Sequence, residues 1–217
     1  MTSKEQVSRI ISAQALKLGA SLAGVVNTAE LRRSPSHQSF QNGEITMESE
    51  GSLVVIALEH PAKRPSVDWW DGNQGTAGNR KLIRIAKKMS KWISKKQCMT
   101  ARILPYHFKQ SGLFIKDAAV LAGLGVIGRN NLVITPRYGP KVRFKALHIS
   151  GQFNSSNQES FRPCESCAAP CIDACPQNAF ANGKFDSRRC LQQMRLNEDN
   201  STPLEIPGVI GRWGICI

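Results

Sequence analysis

"CESCAAPCIDACP", running from Cys164 to Pro176, places four cysteines within twelve residues and a proline directly after the last. Thiolates at that density hold either a zinc ion or an iron–sulfur cluster. A structural zinc site usually arranges its ligands as two short pairs separated by about a dozen residues or more. Here the spacing is Cys-x2-Cys-x3-Cys-x3-Cys-Pro, without a long spacer. It differs by one residue from the cluster-binding run Cys-x2-Cys-x2-Cys-x3-Cys-Pro, a difference small enough for a loop to absorb. The spacing therefore predicts iron–sulfur chemistry.

In such a run the first three cysteines hold one cubane, and the fourth points away to ligate a second. That assigns Cys164, Cys167 and Cys171 to one cluster and Cys175 to the other. Cys190 in "FDSRRC" and Cys216 in "RWGICI" are the next candidates. Two [4Fe–4S] clusters need eight thiolates, and these six fall short. "GICI" reads like the start of a further cysteine segment, so the missing ligands are expected beyond Ile217; otherwise only one cluster is complete.

Six of the seven cysteines lie in the last 54 of 217 residues, with Cys98 alone upstream. A disulfide scaffold would spread its cysteines and would normally belong to a small secreted chain. The opening "MTSKEQVSRIISAQALKLG" has no continuous apolar core of the kind a secretory signal requires. The longest apolar run, Leu53–Leu58, is strand-length, far short of the roughly 18 residues of a membrane span. A cytoplasmic protein without a membrane association is the expectation.

Upstream of the cysteines the pattern is that of an ordinary core, with 41% hydrophobic residues. Val7, Ile10, Ile11, Ala15 and Leu18 recur at helical spacing and Gly19 stands where a C-cap would. "LAGVVN" (22–27) and "SLVVIAL" (52–58) read as buried strands. The stretch 60–79, broken by Pro and Gly, reads as a long loop in which Trp69 and Trp70 could stack on a flat ligand or simply plug a core edge. Leu82, Ile85, Ala86, Met89 and Ile93 form the apolar stripe of a further helix. A strand at "ARILPYH", a short helix at 114–125, and strands at "NNLVITP" and "VRFKALHIS" joined by a turn at Pro136–Pro140 complete the domain. An α+β domain over 1–154 followed by a small ferredoxin-like double-cluster module over 155–217 is expected.

Charge points to a partner. The formal net charge is +13, and nine basic residues with no acidic one lie between Arg80 and Arg102. Such a face suits tRNA or another polyanion, an acidic protein, or solvent alone.

Taken together, "AAVLAGLGVIGRNNLVITPRYGP", "CESCAAPCIDACPQNAF" and "FDSRRC" resemble the epoxyqueuosine reductases, cobalamin- and iron–sulfur-dependent proteins related to reductive dehalogenases. The resemblance covers about residues 5–217. It implies an α/β sandwich of the B12-processing and nitroreductase kind, an electron donor of the ferredoxin or flavodoxin type, and clusters that feed electrons to a cobalamin. It also implies that Gly123, Gly125 and Gly128 approach the corrinoid, where only a backbone without side chains passes close to a flat ring. Arg129 and Asn130, with Asn131, would then supply donors to the cofactor's edge.

The family places a proton-donating aspartate shortly before the "AGLG" helix. At that distance this chain has Lys109 and Gln110, and Asp117 lies inside the helix, off register. Tyr106 or His107 could replace the missing acid, since both donate protons; a histidine near a core strand more often only hydrogen-bonds structure. Two function classes follow. One is an iron–sulfur reductase passing electrons to a cofactor or substrate in the first domain. The other is a ferredoxin-like electron carrier or activase, which would need little more than the last sixty residues.

Overall fold

The computed structural model describes residues 3–40, 50–61, 63–71, 75–106, 108–156, 160–199 and 209–210. Its centre is a four-stranded sheet in the order β1-β2-β7-β4, antiparallel throughout. The strands are β1 (Leu22–Asn27), β2 (Ser52–Glu59), β4 (Ala101–Ile103) and β7 (Val142–Ile149), with the two-residue β3 (Trp70–Asp71) outside the sheet. Seven of the eight residues of β2 are buried, as befits a central strand covered on both faces. Strands and helices alternate along the chain, a pattern that often signals parallel pairing, yet each neighbour here runs antiparallel. The domain is an α+β sandwich.

Alternation along each strand divides two cores. On one face α1 (Lys4–Lys17) and α4 (Ala77–Lys96) cover Val25, Val54, Ile56 and Leu147 with Ile11, Leu82, Ile85 and Met89. On the other face α2 (Thr28–Arg32) and α6 (Ile115–Leu121) cover Val26, Leu53, Val55 and Ala146 with Leu31, Ala118 and Ala119. Between them in sequence lie the single turns α3 (Pro35–Ser39) and α5 (Phe108–Ser111). Gly24 sits where β1 meets the end of α6: a Cβ there would stand 2.0 Å from the Ala122 carbonyl oxygen.

Several helix ends are written in the sequence. Ser3 caps α1 by accepting from Gln6 N, and Thr76 caps α4 by accepting from Asn79 N. Gly19, at φ +100°, follows α1 as its left-handed terminator. The expected loop 60–79 holds a short 3-10 turn at Pro65–Asp68, then β3, and gives way to α4 at Ala77. Buried interactions fasten it to the sheet: Asp68 pairs with both His60 Nδ1 and Arg143 Nη2, each at 2.5 Å, and Arg143 Nη1 donates to Thr76 Oγ1. Trp70 pairs in β3 with Ile210 of β8 (Val209–Ile210), and the loop packs on α4.

The two strands expected to form one hairpin around Pro136–Pro140 belong to different sheets. β6 (Val133–Ile134) pairs with β5 (Val126–Ile127), whereas β7 joins the main sheet. The turn, closed by the Thr135–Gly139 bridge, carries the chain from one to the other.

Candidate functional site: the glycine hairpin and the cysteine module

α6 ends in a Schellman motif: Gly123 N donates to Val120 O at 2.9 Å and Leu124 N to Ala119 O at 3.0 Å, with Gly123 at φ +73°. The chain then turns directly into the β5–β6 hairpin. Its loop is closed by Gly128 N donating to Leu132 O and by Asn130 Oδ1 accepting from Leu132 N at 3.1 Å. Asn131 takes the left-handed conformation at φ 57°.

The three glycines singled out in the sequence all meet the chain's own atoms. A Cβ on Gly123 would lie 2.3 Å from Ser156 O, on Gly125 2.2 Å from Ile134 O, and on Gly128 2.4 Å from Ile134 Cδ1. Gly125 and Gly128 are buried. At Gly123 and Gly125 a Cβ is excluded by backbone oxygens, whereas at Gly128 it would meet the tip of the Ile134 side chain. Arg129, by contrast, is exposed, and Asn130 is half-buried with its side chain engaged in the loop.

The open space is on the outer side of β5. Val126, Ile127 and Arg129 line a groove of about 310 Å³ together with Phe161, Arg162, Cys164 and Glu165. The first cysteine of the run thus borders the same space as the exposed edge of the glycine hairpin. Phe161 and Arg162 carried no signal in the sequence, because neither belongs to a motif. A second crevice of about 10 Å³, beside Leu104, Leu113 and Tyr106, has room for about one water. Tyr106 itself is 68% exposed, and His107 lies outside the described residues.

The cysteine segment is built from tight turns. Ala169 is left-handed at φ 57°, and Pro170 opens the single-turn α7 (Pro170–Asp173), which carries Cys171. Ala169 N points at Cys167 Sγ at 3.4 Å, and Ala179 N at Cys175 Sγ at 3.3 Å. Asp186 caps α8 (Ser187–Asp199), accepting from Arg188 N, and Cys190 sits in that helix's first turn. Cys164, Cys175 and Cys190 are half-buried; Cys167, Cys171 and the remote Cys98 are exposed. Cys216 lies outside the described residues.

Among the described residues no three His, Cys, Asp or Glu side chains converge as one tetrahedral ion requires. A cubane sets its thiolates farther apart, one at each outer corner, and its sulfurs are stabilised by backbone N–H donors. The N–H···S contacts at Cys167 and Cys175 and the all-thiol donor set fit such a cluster.

The stretch leading into it is anchored to the main sheet. Phe153 is buried in the core, its N–H donating to Ser52 Oγ, and Ser155 Oγ accepts from Asn27 N. From α6, Lys116 Nζ donates to Asn131 O at 2.6 Å and stands 5.9 Å from the centre of the Phe185 ring, just ahead of α8. Burial pulls the Lys116 ammonium below its usual pKa, and the charges of Cys190 and Asp117 oppose that shift.

Asp117, next on α6, is 5% exposed and fully engaged: Ser34 Oγ, Ser36 N and Ser36 Oγ all donate to it. It ties α6 to the α2–α3 segment.

On α4, Lys81, Arg84, Lys87, Lys88, Lys91 and Lys95 are exposed, and among the described residues no carboxylate pairs with them. α4 covers the sheet face opposite α6. No described helix is long and apolar enough to cross a membrane.

Comparisons with known proteins agree with this architecture. The chain is 30% identical to the epoxyqueuosine reductase of Pseudomonas aeruginosa over 119 residues, 51% of this chain and 32% of the relative. It is 37% identical to the tetrachloroethene reductive dehalogenase of Desulfitobacterium hafniense over 68 residues, 30% of this chain and 12% of that one. A crystal structure of epoxyqueuosine reductase with an epoxyqueuosine-modified tRNA stem loop superimposes with a TM-score of 0.65 at 19% identity, covering 87% of this chain and 57% of that one. The chain thus spans less than two thirds of each of these relatives. No protein-family model matches it. In sequence the chain is similar to epoxyqueuosine reductases and reductive dehalogenases, and it shares the fold of their solved structures.

Proposed function

We propose that this chain is an iron–sulfur oxidoreductase whose cysteine module passes electrons to an acceptor seated against the glycine hairpin. The observation that carries the proposal is the shared groove: Cys164, first of the cluster-type run, lines the same space of about 310 Å³ as Arg129 and Ile127 of the hairpin. Clusters held by Cys164, Cys167 and Cys171, and by Cys175, Cys190 and Cys216, supply one-electron transfer when bound. The chain's own contribution is to hold them: Ala169 N and Ala179 N direct their hydrogens at Cys167 Sγ and Cys175 Sγ.

Arg129, Arg162 and Glu165 line the groove beside apolar Val126, Ile127 and Phe161, with Arg162 Nε 3.6 Å from Glu165 Oε1. That combination suits an acceptor with an aromatic or otherwise flat body and a polar edge within reach of Arg129. Cobalamin is the acceptor that the resemblance names. We derive no step through it: at Gly123, Gly125 and Gly128 the chain's own atoms occupy the side on which a Cβ would stand. A tRNA substrate is supported by the relative solved with a tRNA stem loop, and the exposed lysines of α4 are the polyanion-binding surface we assign to it. A low-potential ferredoxin or flavodoxin would complete the electron path.

The test is an anaerobic titration of reduced protein with cobalamin and, separately, with flavin, read by absorbance. Reoxidation of the clusters by one of them, weakened by Arg129→Ala, is the expected result. Failure of both at micromolar concentration leaves the module an electron carrier and contradicts the groove as an acceptor site.

A further inference from the structure

We propose that His60 is a proton-operated latch for the loop that follows β2, closed while its imidazole is neutral and opened when it is protonated. Four segments far apart in sequence meet at that end of the sheet. His60 directly follows β2, Asp68 ends the 3-10 turn Pro65–Asp68, Arg143 lies at the start of β7, and Thr76 caps α4. The side chains of His60, Asp68 and Arg143 are only 17%, 10% and 22% exposed. His60 Nδ1 donates to Asp68 Oδ1 at 2.5 Å, and Arg143 Nη2 reaches the same oxygen at 2.5 Å. Arg143 Nε donates to His60 Nε2 at 3.1 Å, and Arg143 Nη1 donates to Thr76 Oγ1. The three ionisable groups form a closed ring, each held by the other two.

The donors fix the tautomer. A guanidinium has only N–H groups to offer, so His60 Nε2 accepts and the imidazole proton sits on Nδ1, facing Asp68. Protonation puts a hydrogen on Nε2 and removes the lone pair that received Arg143 Nε–H. The added proton and the Arg143 bond therefore exclude each other. Two cations then share one carboxylate in a poorly hydrated space, where their repulsion is weakly screened. That space already disfavours charge: burial holds the Arg143 guanidinium below its usual pKa, with Asp68 opposing. The other titratable groups around the ring are Glu59, Lys141 and Lys145 along the strands, Arg64 in the loop, Arg80 in the first turn of α4, and Tyr106 beyond β4. Opening takes up one proton from solvent and breaks no covalent bond. It frees the 3-10 turn and the half-buried Trp69 that follows it. Because the closed state binds fewer protons than the open one, its stability falls as pH drops.

The experiment is hydrogen exchange of the full chain read by mass spectrometry, expressed as protection factors so that the intrinsic pH dependence of exchange divides out. The reporters are the Val67 and Trp69 amides, which donate to Arg64 O and Ser66 O, and the reference is the buried strand β2. Acidification from about pH 7.5 to about pH 5.5 should lower protection of the turn by roughly tenfold relative to β2. His60→Gln offers Asp68 a donor and Arg143 an acceptor but takes up no proton, so its turn should stay closed at both values. Arg143→Lys removes the Nε donor, and its turn should already be open at neutral pH. Protection of the parent turn that tracks β2 at both values overturns the proposal. A His60→Gln turn that still opens in acid overturns it too, as does an Arg143→Lys turn as protected as the parent's. If Arg143→Lys does not fold, the parent and His60→Gln decide.

Discussion

Ser34 Oγ donates a 2.6 Å hydrogen bond to Asp117 Oδ2 across 83 residues of chain. With Ser36 N and Ser36 Oγ donating to the same carboxylate, the acidic group of α6 serves as a clamp between the two helical segments that cover one sheet face. Asp117→Ala leaves two buried or half-buried hydroxyls and a backbone amide without their acceptor. The expected cost is about 3 kcal/mol, seen as a lower urea midpoint at unchanged slope. Iron content of the reconstituted protein should not change; a parallel loss of iron would place Asp117 in the cofactor machinery instead.

The same clamp makes the fold acid-sensitive. His37, 3% exposed, bonds Ser34 Oγ through Nδ1 and meets the Phe114 ring edge-on. Burial holds its pKa below the ordinary 6.5, with Asp117 opposing the shift. In the unfolded chain the imidazole takes up a proton near pH 6.5 that the folded state refuses until lower pH. Stability therefore falls as pH drops below 6.5 and levels off only beneath the folded-state value. Chemical denaturation between neutral pH and about pH 5 should show this slope, and His37→Gln should flatten it.

Glycine substitutions separate packing from backbone freedom. Gly125→Ala drives a Cβ to 2.2 Å from Ile134 O, and Gly24→Ala to 2.0 Å from Ala122 O. Backbone must move in both, so each should cost about 3 kcal/mol or more. Gly139 has φ +57° and nothing within 4 Å of a built Cβ, so Gly139→Ala should cost only about 1 kcal/mol. Equal midpoints for Gly125→Ala and Gly139→Ala would mean that the hairpin yields freely and that Gly125 is kept for another reason.

The α4 surface makes a separate prediction. If its lysines contact RNA phosphates, binding of a tRNA stem loop weakens steeply with salt. Reversing Lys87, Lys88, Lys91 and Lys95 to Glu should lower the slope of log affinity against log salt by roughly 3 and leave the clusters intact. An unchanged slope assigns the face to solvent.

Much of the fold was legible because its signals are local. The stripe from Leu82 to Ile93 specifies α4, and "SLVVIAL" specifies a doubly covered strand. What sequence could not convey was long-range pairing. "NNLVITP" and "VRFKALHIS" look like neighbours around a turn, but the β5 partner of the first is only two residues long and the second is claimed by β2 over eight pairs. The candidate site divides the same way. The cysteine spacing is a local code, whereas Phe161 and Arg162 gain their roles only from the packing of distant segments. At Gly123, Gly125 and Gly128 a Cβ would meet Ser156, Ile134 and Asn130, approaches between distant or looped segments that no local pattern announces.

The most direct test is analysis of iron, labile sulfide, zinc and cobalt in protein purified without oxygen, alongside its visible and paramagnetic resonance spectra. About four irons and four sulfides for each assembled cluster, roughly eight of each when both are filled, with absorbance that bleaches on reduction, is the predicted result. Stoichiometric zinc, or reactive thiols at Cys164, Cys167, Cys171 and Cys175 with no iron after reconstitution, would contradict it.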